Sequence, residues 1–247
     1  SDVCSSDLRT SDPYTARIET LVGVAQVACR LCERHVSERC RRTGSNCYLL
    51  RTRLDANHNK ALGGNFMRPA VIVVDMLDDF VTGPLANPRS ERIIPPISEL
   101  LDGARDRGWV VCYANDAHLP GDPEEKIWGQ HAMAGTPGAQ VIARLAPHAL
   151  DVEFPKRYYS SFYETGLGGY LRQRAVDTVI IVGQHTHMCV RHTSADAFNL
   201  GLGIVVPSDG VEAFTDADHT GGLEYLRQVY GATTPTISEL LASNPLH

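Results

Sequence analysis

Four side chains able to take part in bond-breaking chemistry recur at comparable places in the chain. Asp75, Asp116, Lys156 and Cys189 each stand at or just past the carboxyl end of a stretch that reads as a strand. Cys189 is the most telling. The run Val179 to Val182 reads as a strand buried on both faces and ended by Gly183, and from Cys189 onward Val190, Thr193 and Ala197 recur at helical spacing. A cysteine where a turn becomes a helix faces free backbone N–H groups and the positive end of the helix dipole, which favour a thiolate and any negative charge developing beside it. The bland alternative is a small buried hydrophobe, the usual fate of a lone cysteine. A thiol near pH 7 needs a proton acceptor, and Asp75 can be one if partial burial raises its pKa toward neutrality. Lys156 can then hold that carboxylate and offset charge in the transition state; the alternative for this pair is an ion pair at the strand ends with no chemical role. Asp116-x-His118, with His131 in the following loop, forms a second constellation: three ligands for a divalent metal with positions left open, or ordinary polar loop packing. His185, His187 and His192 lie near Cys189 at a turn, as supporting or surface groups.

These residues share a site only if a fold gathers them. Ala70 to Val74, Trp109 to Ala114, Val152 to Pro155, Val179 to Val182 and Gly203 to Pro207 read as strands. Between and after them, Ser90 to Arg107, Ala139 to Leu145, Leu167 to Ala175, the stretch from Cys189, Asp218 to Tyr230 and Thr236 to Ala242 read as helices. Met76 to Phe80 and Leu119 to Gly138 read as loops, and Pro155 suggests an edge strand or an early strand end. Strand and helix alternate with too few units for an eight-stranded barrel. The expected fold is an open, doubly wound parallel sheet with helices on both faces, a three-layer α/β/α arrangement. In such sheets the ligand lies beyond the carboxyl ends of the strands, where all four reactive residues fall.

With 247 residues, the chain can hold one large α/β domain with an appendage. A net charge of −6 argues against nucleic acid as a partner, and no apolar run is long enough to span a bilayer. Five of the 7 cysteines precede Met67, so the remainder is no disulfide scaffold, which fits a reducing, cytoplasmic setting. The first segment, residues 1–66, differs in composition. Cys29, Cys32, His35, Cys40 and Cys47 could be written as a zinc site, but their spacing matches no established finger, and Asp2 to Leu8 looks like a translated sequencing adapter. Residues 1–66 therefore read as a disordered or artefactual leader, and residues 67–247 as the domain.

Val74-Asp75-Met76-Leu77-Asp78-Asp79-Phe80, Lys156 with Ser160-Ser161-Phe162, and Gly183-Gln184-His185-Thr186-His187-Met188-Cys189-Val190-Arg191 resemble the motifs of the isochorismatase-like cysteine hydrolases, and among them the nicotinamidases. The resemblance covers Met67 to His247. It implies a catalytic triad of Asp75, Lys156 and Cys189, and a cis peptide joining Gln184 and His185, with the N–H groups of His185 and Cys189 as the oxyanion hole. It implies a divalent metal, zinc before manganese or iron, on Asp116, His118 and His131; Ala134 to Ala139 after His131 fits the same pattern. Phe80 and Trp128 would flank a substrate ring, and the protein would be a homo-oligomer. The chain departs from the family where His187 replaces an acid and Met188 an aromatic.

The expected function is hydrolysis of a small carboxamide, nicotinamide first, through a thioester. Rival readings are an amidase of N-carbamoyl or ureido compounds, an isochorismatase-type vinyl-ether hydrolase, against which Cys189 argues, and a non-catalytic flavodoxin-like binding module. The last lacks a Gly-rich or Ser/Thr-rich phosphate loop after the first strand.

Overall fold

A computed structural model describes residues 67–243. Residues 1–66, expected to be a leader, and the cysteine cluster within them lie outside the described residues.

In chain order the elements are β1 (Pro69–Val74), α1 (Asp78–Val81), α2 (Ile94–Asp106), β2 (Val110–Asp116), α3 (Glu125–Trp128), β3 (Val152–Lys156), α4 (Leu167–Gln173), β4 (Thr178–Gln184), α5 (Cys189–Asn199), β5 (Gly203–Val205), β6 (Val211–Glu212), α6 (Asp216–Tyr230) and α7 (Ile237–Ala242). The strands pair in the order β3-β2-β1-β4-β5, all parallel, with β6 also beside β4. This is the doubly wound sheet expected from the alternation, and β3 is an edge strand, as Pro155 suggests.

Alternate residues of the central strand serve opposite layers. Ala70, Ile72 and Val74 pack with Leu171, Val190 and Leu226, from α4, α5 and α6. Val71 and Val73 pack with Ile97, Leu100 and Leu240, from α2 and α7. Both faces of β1 and β4 are therefore buried, which explains their unbroken apolar runs.

The winding reverses between β1 and β4, so the crevice at their carboxyl ends receives Asp75 from one strand and Cys189 from the helix after the other. Gly183 sets their approach. Its φ is +107°, and an added Cβ would fall onto the Val74 carbonyl oxygen.

Several expected boundaries move. Gly183 does not end its strand, since β4 continues through Gln184 and pairs there with β6. Residues 139–145 form 3-10 turns at Pro137–Ala139 and Ala143–Leu145 instead of a helix. The Ile142 N–H bonds Met76 O, and Gln140 O accepts from Asp78 N, so this backbone is committed to the loop after β1. The fifth strand stops at Val205 because the Val206 N–H turns to Thr233 O. Met76 to Phe80 is not all loop: one helical turn begins at Asp78.

Candidate active site and metal centre

At the carboxyl end of the sheet lies a pocket with an empty volume of about 320 Å³. Asp75, Asp116, His131, His185 and Cys189 line it, with Phe80 and Trp128.

Lys156 ends β3 with its ammonium wholly buried. Burying an ion costs several kcal/mol unless partners replace the lost water. Here they do: Nζ lies 2.8 Å from Asp75 Oδ2, donates to Asp116 Oδ1, and sits 3.8 Å from Cys189 Sγ. Burial alone would lower the lysine's pKa, but the charges of Asp116 and Asp75 outweigh it and hold the ammonium protonated well above its usual range.

Asp75 is pinned from several sides. Its N–H donates to Asn115 Oδ1 at 2.9 Å, and its Oδ1 accepts the Asp116 N–H at 2.8 Å. Gln184 Nε2 donates to the carbonyls of Asp75 and Phe80, while Gln184 Oε1 accepts from Ser90 Oγ. Asp75 also adopts a positive φ of 54°, uncommon for a residue with a Cβ. Burial, reinforced by the negative charge of Asp116, raises its pKa to about 6 against the pull of Lys156.

Cys189 is the first residue of α5 and almost fully buried. Burial pushes its thiol well above its ordinary range; Lys156 opposes this, and the carboxylates of Asp75 and Asp116 add to it. The helix start alone does not produce a resting thiolate. One reactive atom each from Asp75, Asp116 and Cys189 falls within 4.8 Å of the others. The Gln184–His185 peptide is cis, as the resemblance implies. Among the described residues, the N–H groups of His185 and Cys189 have no acceptor within the protein.

The second constellation also assembles, and it gains a member. Asp116, His118, Glu124 and His131 are all buried and offer one ligand atom each within 4.8 Å of one another. Glu124 went unrecognised because it sits in an acidic loop where nothing in the spacing separates it from Asp122 and Glu125. The structure separates them: Asp122 is taken by Arg157, and Glu125 accepts from Gly121 N, while Glu124 turns inward. Burial, then the charge of Asp116, pushes Glu124 up to about 7. His131 Nδ1 donates to Gly129 O at 2.8 Å, which leaves Nε2 as the nitrogen not engaged by that carbonyl. Both nitrogens of His118 and Oε1 of Glu124 are buried without a hydrogen-bond partner among the described residues. Two carboxylates and two imidazoles with orphaned buried atoms are the donor set of a divalent transition metal.

Phe80 and Trp128 both reach the pocket, and Trp128 Nε1 donates to Tyr159 OH at 3.2 Å. Phe214 was not anticipated. It stacks on His185 with ring centroids 4.0 Å apart, and it lies in the irregular stretch after β6, where no periodicity marks it. Of the other histidines, His187 is half-buried and His192 is exposed, with Nδ1 against Met188 O.

The model of the isochorismatase domain matches residues 69–238. The chain belongs to the isochorismatase family. Within it, a nicotinamidase/pyrazinamidase of Mycobacterium tuberculosis is 36% identical over 176 residues, 64% of this chain and 94% of that protein. The crystal structure of an N-carbamoylsarcosine amidase from Thermoplasma acidophilum is 40% identical, covers 69% of this chain and 97% of its own, and superposes with a TM-score of 0.66. A pyrazinamidase of Pyrococcus horikoshii in complex with zinc is 29% identical, with coverage of 68% and 99% and a TM-score of 0.64. This isochorismatase-family protein is a hydrolase acting on amides. Among its described residues, no helix is long and apolar enough to cross a membrane.

Proposed function

We propose that the protein hydrolyses a small, uncharged, planar carboxamide, nicotinamide before others, with Cys189 as nucleophile, Asp75 as base and acid, and Lys156 as electrostatic support. The observation that carries the choice of substrate is the charge of the pocket wall. Asp75, Asp116 and Glu124 line it, together with Phe80, Trp128 and Phe214, and among the described residues no lysine or arginine does. An acyl group bearing its own carboxylate would find no lysine or arginine there to pair with. A neutral aromatic ring meets three aromatic faces.

In the mechanism, the substrate carbonyl enters beside Sγ. Asp75, ionised above about pH 6, takes the thiol proton as sulfur attacks the carbonyl carbon. The oxygen gains negative charge opposite the N–H groups of His185 and Cys189. Lys156 remains charged throughout, so Asp75 can change protonation without leaving a bare charge in the interior. Collapse of the tetrahedral adduct breaks the C–N bond, and Asp75 returns the proton to the leaving amine. Water then attacks the thioester, giving one proton to Asp75, which restores the thiol as the acid departs. A divalent ion on Asp116, His118, Glu124 and His131, zinc before manganese or iron, would supply a Lewis-acidic point able to hold a ring nitrogen.

A second reading has a specific observation behind it: the 40% identity to an N-carbamoylsarcosine amidase. Ammonia release measured with nicotinamide, pyrazinamide, N-carbamoylsarcosine and maleamate separates the two. The proposal expects the two uncharged ring amides to exceed the two anionic amides in kcat/KM by at least about tenfold, corresponding to 1.4 kcal/mol of discrimination. Preference for either anion would reject it.

A further inference from the structure

Arg157 directly follows Lys156, yet it points its guanidinium away from the nucleophile, toward the loop that carries Glu124 and Trp128. There it grips Asp122: Nε donates to both carboxylate oxygens, at 3.1 and 3.0 Å, and Nη2 donates to Oδ1. The Asp122 side chain is only 1% exposed, so this fork supplies much of what water no longer can. Asp122 makes two further contacts. Its Oδ2 accepts the Leu119 N–H at 2.8 Å, closing the turn that brings Glu124 inward, and the same oxygen faces His118 Nδ1 at 3.4 Å. On the opposite side of that ring, Nε2 faces Asp116 Oδ2 at 3.6 Å and Glu124 Oε2 at 4.0 Å. Nδ1 makes no hydrogen bond among the described residues, but a carboxylate beside one imidazole nitrogen orients the ring so that the other nitrogen faces the ligand cluster.

We propose that Arg157 and Asp122 are positioning residues for the metal centre: the arginine holds the carboxylate, which orients the His118 ring and closes the turn that presents Glu124. This rests on the metal reading of the site. It adds that ion affinity is governed by two residues that are not themselves ligands, one of them partly exposed and anchored to the strand end that bears the catalytic lysine.

The test is zinc affinity of the full chain, measured in competition with a chromophoric chelator and requiring no substrate. Arg157→Met, which keeps length and loses the fork, is expected to weaken zinc binding about 10- to 100-fold, and Arg157→Lys to recover only part of it. Asp122→Asn serves as an independent variant should Arg157→Met fail to fold. It is expected to weaken binding over the same range and to move the His118 imidazole nitrogen resonances of the zinc-bound protein. Unchanged zinc affinity in a folded Arg157→Met or Asp122→Asn variant overturns the inference while the metal reading stands. A parent protein that binds no divalent ion overturns both.

Discussion

The two halves of the site are built on opposite principles. The half around Cys189, the proposed nucleophile, comes from regular structure: Asp75 follows β1, Lys156 ends β3, and Cys189 opens α5. Its ionisable groups already answer one another, since one buried ammonium serves two carboxylates and lies near the sulfur. The metal half leans on the loop after β2, where His118, Glu124 and His131 are held by turns and backbone contacts, and several buried polar atoms are left without partners. One half pairs its charges within the protein, and the other leaves buried atoms of His118 and Glu124 without hydrogen-bond partners among the described residues. Asp116 belongs to both.

The sharpest way to break this contrast is to remove the sulfur. Cys189→Ala should lower kcat by at least about 10⁴-fold, comparable to losing a nucleophile in other hydrolases, with the circular dichroism spectrum unchanged. Residual turnover within tenfold of the parent would mean that another group attacks. Stripping divalent ions with a chelator should cost less, about 10² in kcat/KM for a ring amide, and leave the rate of thiol alkylation at Cys189 within a few-fold. If alkylation changed as much as turnover, the halves would not be separable.

A third effect concerns pH. The Asp75 pKa is raised from 3.8 to about 6, so kcat/KM should fall about tenfold per pH unit below 6. The same shift has a stability consequence. The native state holds this proton more tightly than the unfolded chain does, so Asp75 contributes stability below pH 3.8 that is lost as pH rises through about 6. Asp75→Asn should therefore be inactive yet melt no lower than the parent at pH 8; a large drop in Tm would show that the ion pair with Lys156 outweighs the burial penalty. The smallest expected effect is Trp128→Ala. It should raise KM several-fold for a ring amide with kcat little changed, because the side chain flanks the pocket without touching the reacting atoms.

What the sequence disclosed follows the same division. Each stretch that reads as a strand points to the residue at or just past its carboxyl end, so Asp75, Asp116, Lys156 and Cys189 could be assigned to one edge of a sheet from the residues alone. His118 and His131 were legible as metal-binding types at suitable separation. Glu124 and Phe214 were not, because irregular chain has no period and their inward turns depend on tertiary partners: Asp122 with Arg157 for one, the His185 ring for the other. The helix expected at residues 139–145 failed for a related reason. Val141, Ile142 and Leu145 carry the right apolarity, but the surrounding backbone bonds to the Met76–Asp78 loop, a choice made in three dimensions.

Gly183 carries a consequence for what can vary. The strands that lead to Asp75 and to Cys189 meet there with the Val74 carbonyl against the bare Cα of Gly183, where any added side chain would collide. The spacing of the proposed base and nucleophile is set by that main-chain contact and not by the loops around the pocket, so one cutting geometry can be fitted with many different mouths.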